Sequence, residues 1–88
     1  MKMYDKEKGI YPAGQYLVGR DIPLGGYILT TVDKQFDSTY TLYRSYKDFT
    51  NEEDEISYIS FKGDFHISLM EENTFMEVEN AVIQKLGF

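Results

Sequence analysis

The chain has no cysteine and no tryptophan, one histidine, and two prolines in 88 residues. Without cysteine there is no disulfide, no thiol nucleophile and no thiolate zinc site. One histidine, His66, leaves a single imidazole for nucleophilic catalysis, which needs a base oriented by a carboxylate against a hydroxyl or thiol. Basic charge is also scarce: nine Lys and Arg stand against fifteen Asp and Glu, for a net charge of −6. Such a chain repels a phosphate backbone, and its scattered cations make no groove for stacked bases, so nucleic acid is not an expected partner. The first ten residues hold no apolar run, so they read neither as a signal peptide nor as a membrane span. A complete chain of this kind is expected in the cytoplasm. A piece of an exported protein is expected at the cell envelope.

The length allows one domain, read as residues 10–86 behind a flexible lead-in at 1–9. Hydrophobic residues make up 42% of the chain, enough for a packed core, and eight Tyr and six Phe supply much of it. Aromatic, glycine-punctuated sequence favours strands. The charge is uneven. Residues 1–47 carry seven basic and five acidic side chains, and residues 48–88 two basic and ten acidic.

Residues 11–31, YPAGQYLVGRDIPLGGYILTT, organise the rest. They hold both prolines and four of the seven glycines. They also contain one pattern twice, Pro12-Ala13-Gly14-Gln15-Tyr16 and Pro23-Leu24-Gly25-Gly26-Tyr27. Proline fixes φ at the second position of a turn and glycine supplies the conformation that follows, so each copy reads as a turn launching a strand. A phosphate cradle is not the reading, because the spacing lacks a Walker lysine, a GxGxxG run and a following helix.

Period-two alternation then marks strands at 15–18, 26–32, 39–46, 55–61 and 64–69, with 75–79 and 81–84 closing the sheet. The clearest is 64–69, with Phe65, Ile67 and Leu69 inward and Asp64, His66 and Ser68 outward. Both faces of 26–32 are fairly apolar, which suits a strand covered on both sides or a sandwich centre. The strand at 55–61 changes phase, which a bulge near Tyr58 and Ile59 would reconcile. A helix over 74–86 is the alternative, since Phe75, Val78, Val82 and Leu86 fall near helical spacing. About seven short strands with regular turns read as an all-β fold, an antiparallel sandwich or small barrel.

The run Tyr16-Leu17-Val18-Gly19-Arg20-Asp21-Ile22-Pro23-Leu24-Gly25-Gly26-Tyr27 resembles the Y-x-V-G-x-D-I-P-x-G-x-Y signature of a small β domain. That domain occurs in uncharacterised proteins of Gram-positive bacteria and their mobile elements, often in the extracytoplasmic part of lipoproteins. Residues 67–81 are similar to its closing hairpin, with Asn73 where glycine is usual; Asn also visits the left-handed region. The resemblance covers about two-thirds of the chain by motif and stops at residues 33–54. It implies a bacterial β fold and carries no functional residues.

Chemistry-bearing clusters are few. His66 and Ser68 share a strand face but diverge, so no triad is indicated. The acidic run at 51–55 has none of the order of a calcium loop and reads as a solvated connection, so neither a metal nor another cofactor is expected. Glu77 and Glu79 share a face, whereas glycoside hydrolysis needs carboxylates facing across a cleft. The tyrosines are the remaining candidates. Core packing is one reading of them, and the other is an exposed aromatic patch, expected at Tyr40, Tyr43 and Tyr46, because exposed Tyr is rigid and amphipathic. The expectation is therefore a non-catalytic binding or interaction module, taking a protein or glycan partner. The alternative is a self-assembling structural protein that pairs through an edge strand or an aromatic patch.

Overall fold

The computed structural model describes residues 8–45, 47 and 55–87, without the side chains of 55 and 56. Eight strands form two antiparallel four-stranded sheets packed as a sandwich, with no closed barrel. They are β1 (Ile10–Tyr11), β2 (Gly14–Leu17), β3 (Gly25–Thr31), β4 (Ser38–Tyr43), β5 (Glu55–Phe61), β6 (Asp64–Leu69), β7 (Phe75–Glu79) and β8 (Ala81–Lys85). Sheet I has the order β1-β8-β3-β6, and sheet II the order β2-β7-β4-β5.

The chain changes sheet at every connection but one. Among the described strands, only β4 and β5 are both consecutive and hydrogen-bonded. Two outcomes follow. Residues 75–79 and 81–85 are strands rather than a helix, and they do not pair, since β7 belongs to sheet II and β8 to sheet I. The segment similar to a closing hairpin is thus a pair of crossovers. Asn80 makes the second crossover alone at φ 57°, and Asn73 turns the chain before β7 at φ 71°. The helical spacing of Phe75, Val78, Val82 and Leu86 scatters over different faces: Val78 is in the core, while Leu86 is exposed.

The doubled Pro-x-Gly-x-Tyr pattern builds the first two crossovers. Tyr16 Oη donates to the Pro12 carbonyl at 2.6 Å, and Tyr27 Oη donates to the Pro23 carbonyl at 2.6 Å. Each is a tyrosine corner, in which a ring enters the core while its hydroxyl satisfies a carbonyl just upstream. The first ties β1 to β2, and the second ties the β2 loop to β3. Tyr11 lies between them, with ring centroids 5.9 Å from Tyr16 and 6.4 Å from Tyr27, both edge-on. Gly25, at φ 140°, leaves room for Lys85, whose Nζ sits 5.6 Å from the Tyr27 ring centroid.

Inward residues of both sheets make one core. Tyr11, Tyr27, Leu29, Ile67, Leu69, Ala81 and Ile83 come from sheet I, and Tyr16, Tyr40, Met76 and Val78 from sheet II. Val18 and Ile22 close one end through an isolated bridge. A polar knot closes the other. Thr31 and Ser38 share a 2.7 Å hydroxyl bond, Ser38 Oγ donates to the Asn80 carbonyl, and the Gly63 amide donates to Thr31 Oγ1. The Asn80 side chain clamps the β3–β4 loop, accepting from the Asp33 amide at 2.9 Å and donating to the Asp33 and Phe36 carbonyls at 2.9 and 3.0 Å.

Three expectations shift. Strand β3 is central in its sheet, between β8 and β6, but its face opposite Tyr27 is not covered: Thr30 and Val32 are exposed and Ile28 is half-buried. The irregularity in β5 sits opposite Leu42 and Tyr43, which pair with Ser57 and Glu55, so Ile56 is the extra residue rather than Tyr58 or Ile59. The third strand ends at Tyr43 instead of 46. Strand β6 keeps its expected phase, with Ile67 and Leu69 buried and Asp64, His66 and Ser68 exposed.

Candidate binding surface

The outer face of sheet II carries an apolar row across three strands. Leu17 on β2 pairs with Phe75 on β7, which pairs with Tyr43 on β4. The next row is polar, with Gln15, Glu77, Thr41 and Tyr58 in register. Gln15 Nε2 donates to Glu77 Oε2 at 3.1 Å, and one step further Thr39 Oγ1 donates to Glu79 Oε1 at 3.1 Å. Glu77 and Glu79 therefore share a face, as alternation requires, and each bonds a cross-strand neighbour.

A loop folds beside this face for reasons local to its sequence. Asp21 Oδ2 accepts from the Leu17 amide at 2.8 Å, and the Asp21 amide donates to the Leu17 carbonyl at 2.8 Å. Asp21 Oδ1 also takes the Arg20 Nε at 2.8 Å, and that bond pushes the guanidinium pKa further up. The loop and the sheet enclose a groove of about 470 Å³, lined among the described residues by Gln15, Leu17, Arg20, Asp21 and Phe75. Its floor is apolar. Its rim offers an amide, a carboxylate and an exposed guanidinium. The volume falls within the size of small-ligand and side-chain pockets.

The expected aromatic patch is divided. Tyr40 points into the core, 5% exposed, and burial pushes its hydroxyl pKa up to about 12. Tyr43 is half-buried on the opposite, outer face, and Tyr46 lies outside the described residues. Tyr58 is the exposed tyrosine of that outer face. His66 and Ser68 are exposed on the outer face of sheet I, across the sandwich from the groove. The acidic residues 51–54 lie outside the described residues. Among the described residues no three His, Asp or Glu side chains are placed to hold a metal ion. No described helix is long and apolar enough to cross a membrane.

Each fixed position of the Y-x-V-G-x-D-I-P-x-G-x-Y run has a structural task. Tyr16 and Tyr27 are the corner donors, Val18 and Ile22 are buried, Gly19 turns the chain at φ 98° and donates its amide to the Ile22 carbonyl, Asp21 caps Leu17, Pro23 supplies the accepting carbonyl and Gly25 admits Lys85. The groove residues outside that run, Gln15 and Phe75, come together only through the β2–β7 pairing, 60 or more positions apart in sequence. Comparison with protein-family models, with curated proteins and with solved structures gave no match.

Proposed function

We propose that this domain is a non-catalytic binding module that holds a protein partner on the outer face of sheet II. The observation that carries the reading is the groove between β2, β7 and the Arg20–Asp21 loop, apolar at its floor and polar at its rim. Such a site suits an apolar side chain flanked by backbone amides and carbonyls, which Gln15 and Arg20 can meet. A glycan fits less well. Sugar rings stack on exposed aromatic faces, and Phe75 is only 5% exposed. Binding rather than catalysis is supported by the separation of His66 from every groove residue, on opposite faces of the sandwich.

A photo-crosslinker at Gln15, in lysate of the source organism, tests this. Capture of one protein from Gln15, absent when the crosslinker stands at Gln84 on the outer face of sheet I and reduced by Arg20→Ala, is expected. Equal capture from both faces would defeat the reading.

A further inference from the structure

The hydrogen bonds fix which way every backbone group of β6 points. The Thr31 amide donates to the Gly63 carbonyl, and the β3–β6 register runs through Leu29–Phe65, Tyr27–Ile67 and Gly25–Leu69. In an antiparallel ladder, bonded and non-bonded pairs alternate. The odd-numbered residues of β6 therefore bond β3. The Leu86 amide bonds the Gly26 carbonyl, so the even-numbered residues of β3 bond β8, in agreement. The amides and carbonyls of Asp64, His66 and Ser68 all point to the open edge of sheet I, and no described residue pairs with them.

The other edges are closed or short. On β2, the outward amide and carbonyl of Leu17 are both taken by Asp21. Strand β1 has two residues, and β5 carries the register shift that bends an edge away. Strand β6 has no bulge and no proline, and no described residue caps it.

We propose that β6 pairs antiparallel with β6 of a second copy, about a two-fold axis at His66, to give one continuous eight-stranded sheet. Only this register uses all three outward residues, with His66 opposite His66 of the second copy and Asp64 opposite its Ser68. The edge is self-complementary, as a two-fold interface requires. It also carries one charge of each sign, Asp64 on the strand and Lys62 at the turn before it, the latter 3.9 Å from Asp37, within a chain of net charge −6. On the inner side Phe65 meets Ile67 of the second copy in a close, non-bonded pair. That contact covers the remaining exposed edge of Phe65, which stacks on Phe61 with centroids 5.4 Å apart. The groove on sheet II plays no part in this interface.

Sedimentation equilibrium from micromolar to millimolar protein, with amide hydrogen exchange at both ends of the range, tests the pairing. A dimer is expected, with exchange at Asp64, His66 and Ser68 slowing as it forms. His66→Pro removes an amide that bonds nothing in β3, so the fold persists while the dimer dissociation constant rises at least tenfold. A monomer at millimolar concentration overturns the proposal. So does a dimer in which those three amides exchange freely, or one indifferent to His66→Pro. If the proline variant does not fold, the exchange pattern of the unaltered chain decides.

Discussion

Replacing Asn80 separates two contributions that one residue makes together. Asn80 carries the chain between sheets at φ 57°, and its side chain holds the β3–β4 loop. Asn80→Gly keeps the backbone conformation and deletes the side-chain bonds. The three bonds of 3.0 Å or less lie near the surface, where each contributes about 0.5–1 kcal/mol net, so their loss costs roughly 2 kcal/mol. Glycine also frees the unfolded chain, adding about 0.5 kcal/mol. Asn80→Ala loses the same bonds and leaves at φ 57° a residue without the short polar side chain that lets asparagine tolerate the left-handed region, for about 3 kcal/mol in total. Asn80→Asp keeps the acceptor for the Asp33 amide but turns an oxygen toward two carbonyls, so it should fall at least as far as the glycine variant. Urea unfolding followed by circular dichroism gives the order, and the glycine variant should melt about 10–20 °C lower. A glycine variant as stable as the parent would refute the loop-clamp account. Equal losses for glycine and alanine would refute the backbone account.

Gly25→Ala should cost about 1–3 kcal/mol, because φ 140° is strained for any L side chain and the new Cβ would lie 2.6 Å from Lys85 Nζ; a thermal melt checks it. Asp21→Ala should cost about 1–2 kcal/mol by freeing the Leu17 amide, and two-dimensional amide spectra should show Leu17 exchanging faster. Alkali should weaken the fold selectively. Burial holds Tyr27 and Tyr40 at about 12 against an ordinary value of 10. The unfolded chain thus loses those protons first, and stability, complete below pH 10, falls between pH 10 and 12. Tyrosinate absorbance at 295 nm should rise late in the native protein, and Tyr40→Phe should flatten the loss of stability with pH.

Much of the fold was legible in the sequence because strand period and turn chemistry are local. Strand β6 announces its faces by strict alternation, and the repeated Pro-x-Gly-x-Tyr marks two turns. What was not legible is the sheet to which each strand belongs. A single residue such as Asn80 sends β7 and β8 to different sheets, and nothing in their apolar spacing distinguishes that from a hairpin or a helix. The tyrosines show the same limit. Tyr40 and Tyr43 fall on opposite faces by period, but which face is the core depends on the facing sheet. The four-residue step from Pro12 to Tyr16 and from Pro23 to Tyr27 was the available sign that two of the hydroxyls are satisfied internally rather than offered to a ligand. The groove has no local signature, because Gln15 and Leu17 meet Phe75 only across the assembled sheet.

The central claim is that the repeated turn pattern holds the two sheets together while the proposed binding uses the outer face of sheet II. Its most direct test is the unfolding free energy of Tyr16→Phe, Tyr27→Phe and the double variant, each removing only a hydroxyl. Each single change should cost about 1–2 kcal/mol, the larger at the fully buried Tyr27. The double variant should lose at least the sum, and crosslinking from Gln15 should be unchanged in the folded protein. Unaltered stability in both single variants would contradict the claim.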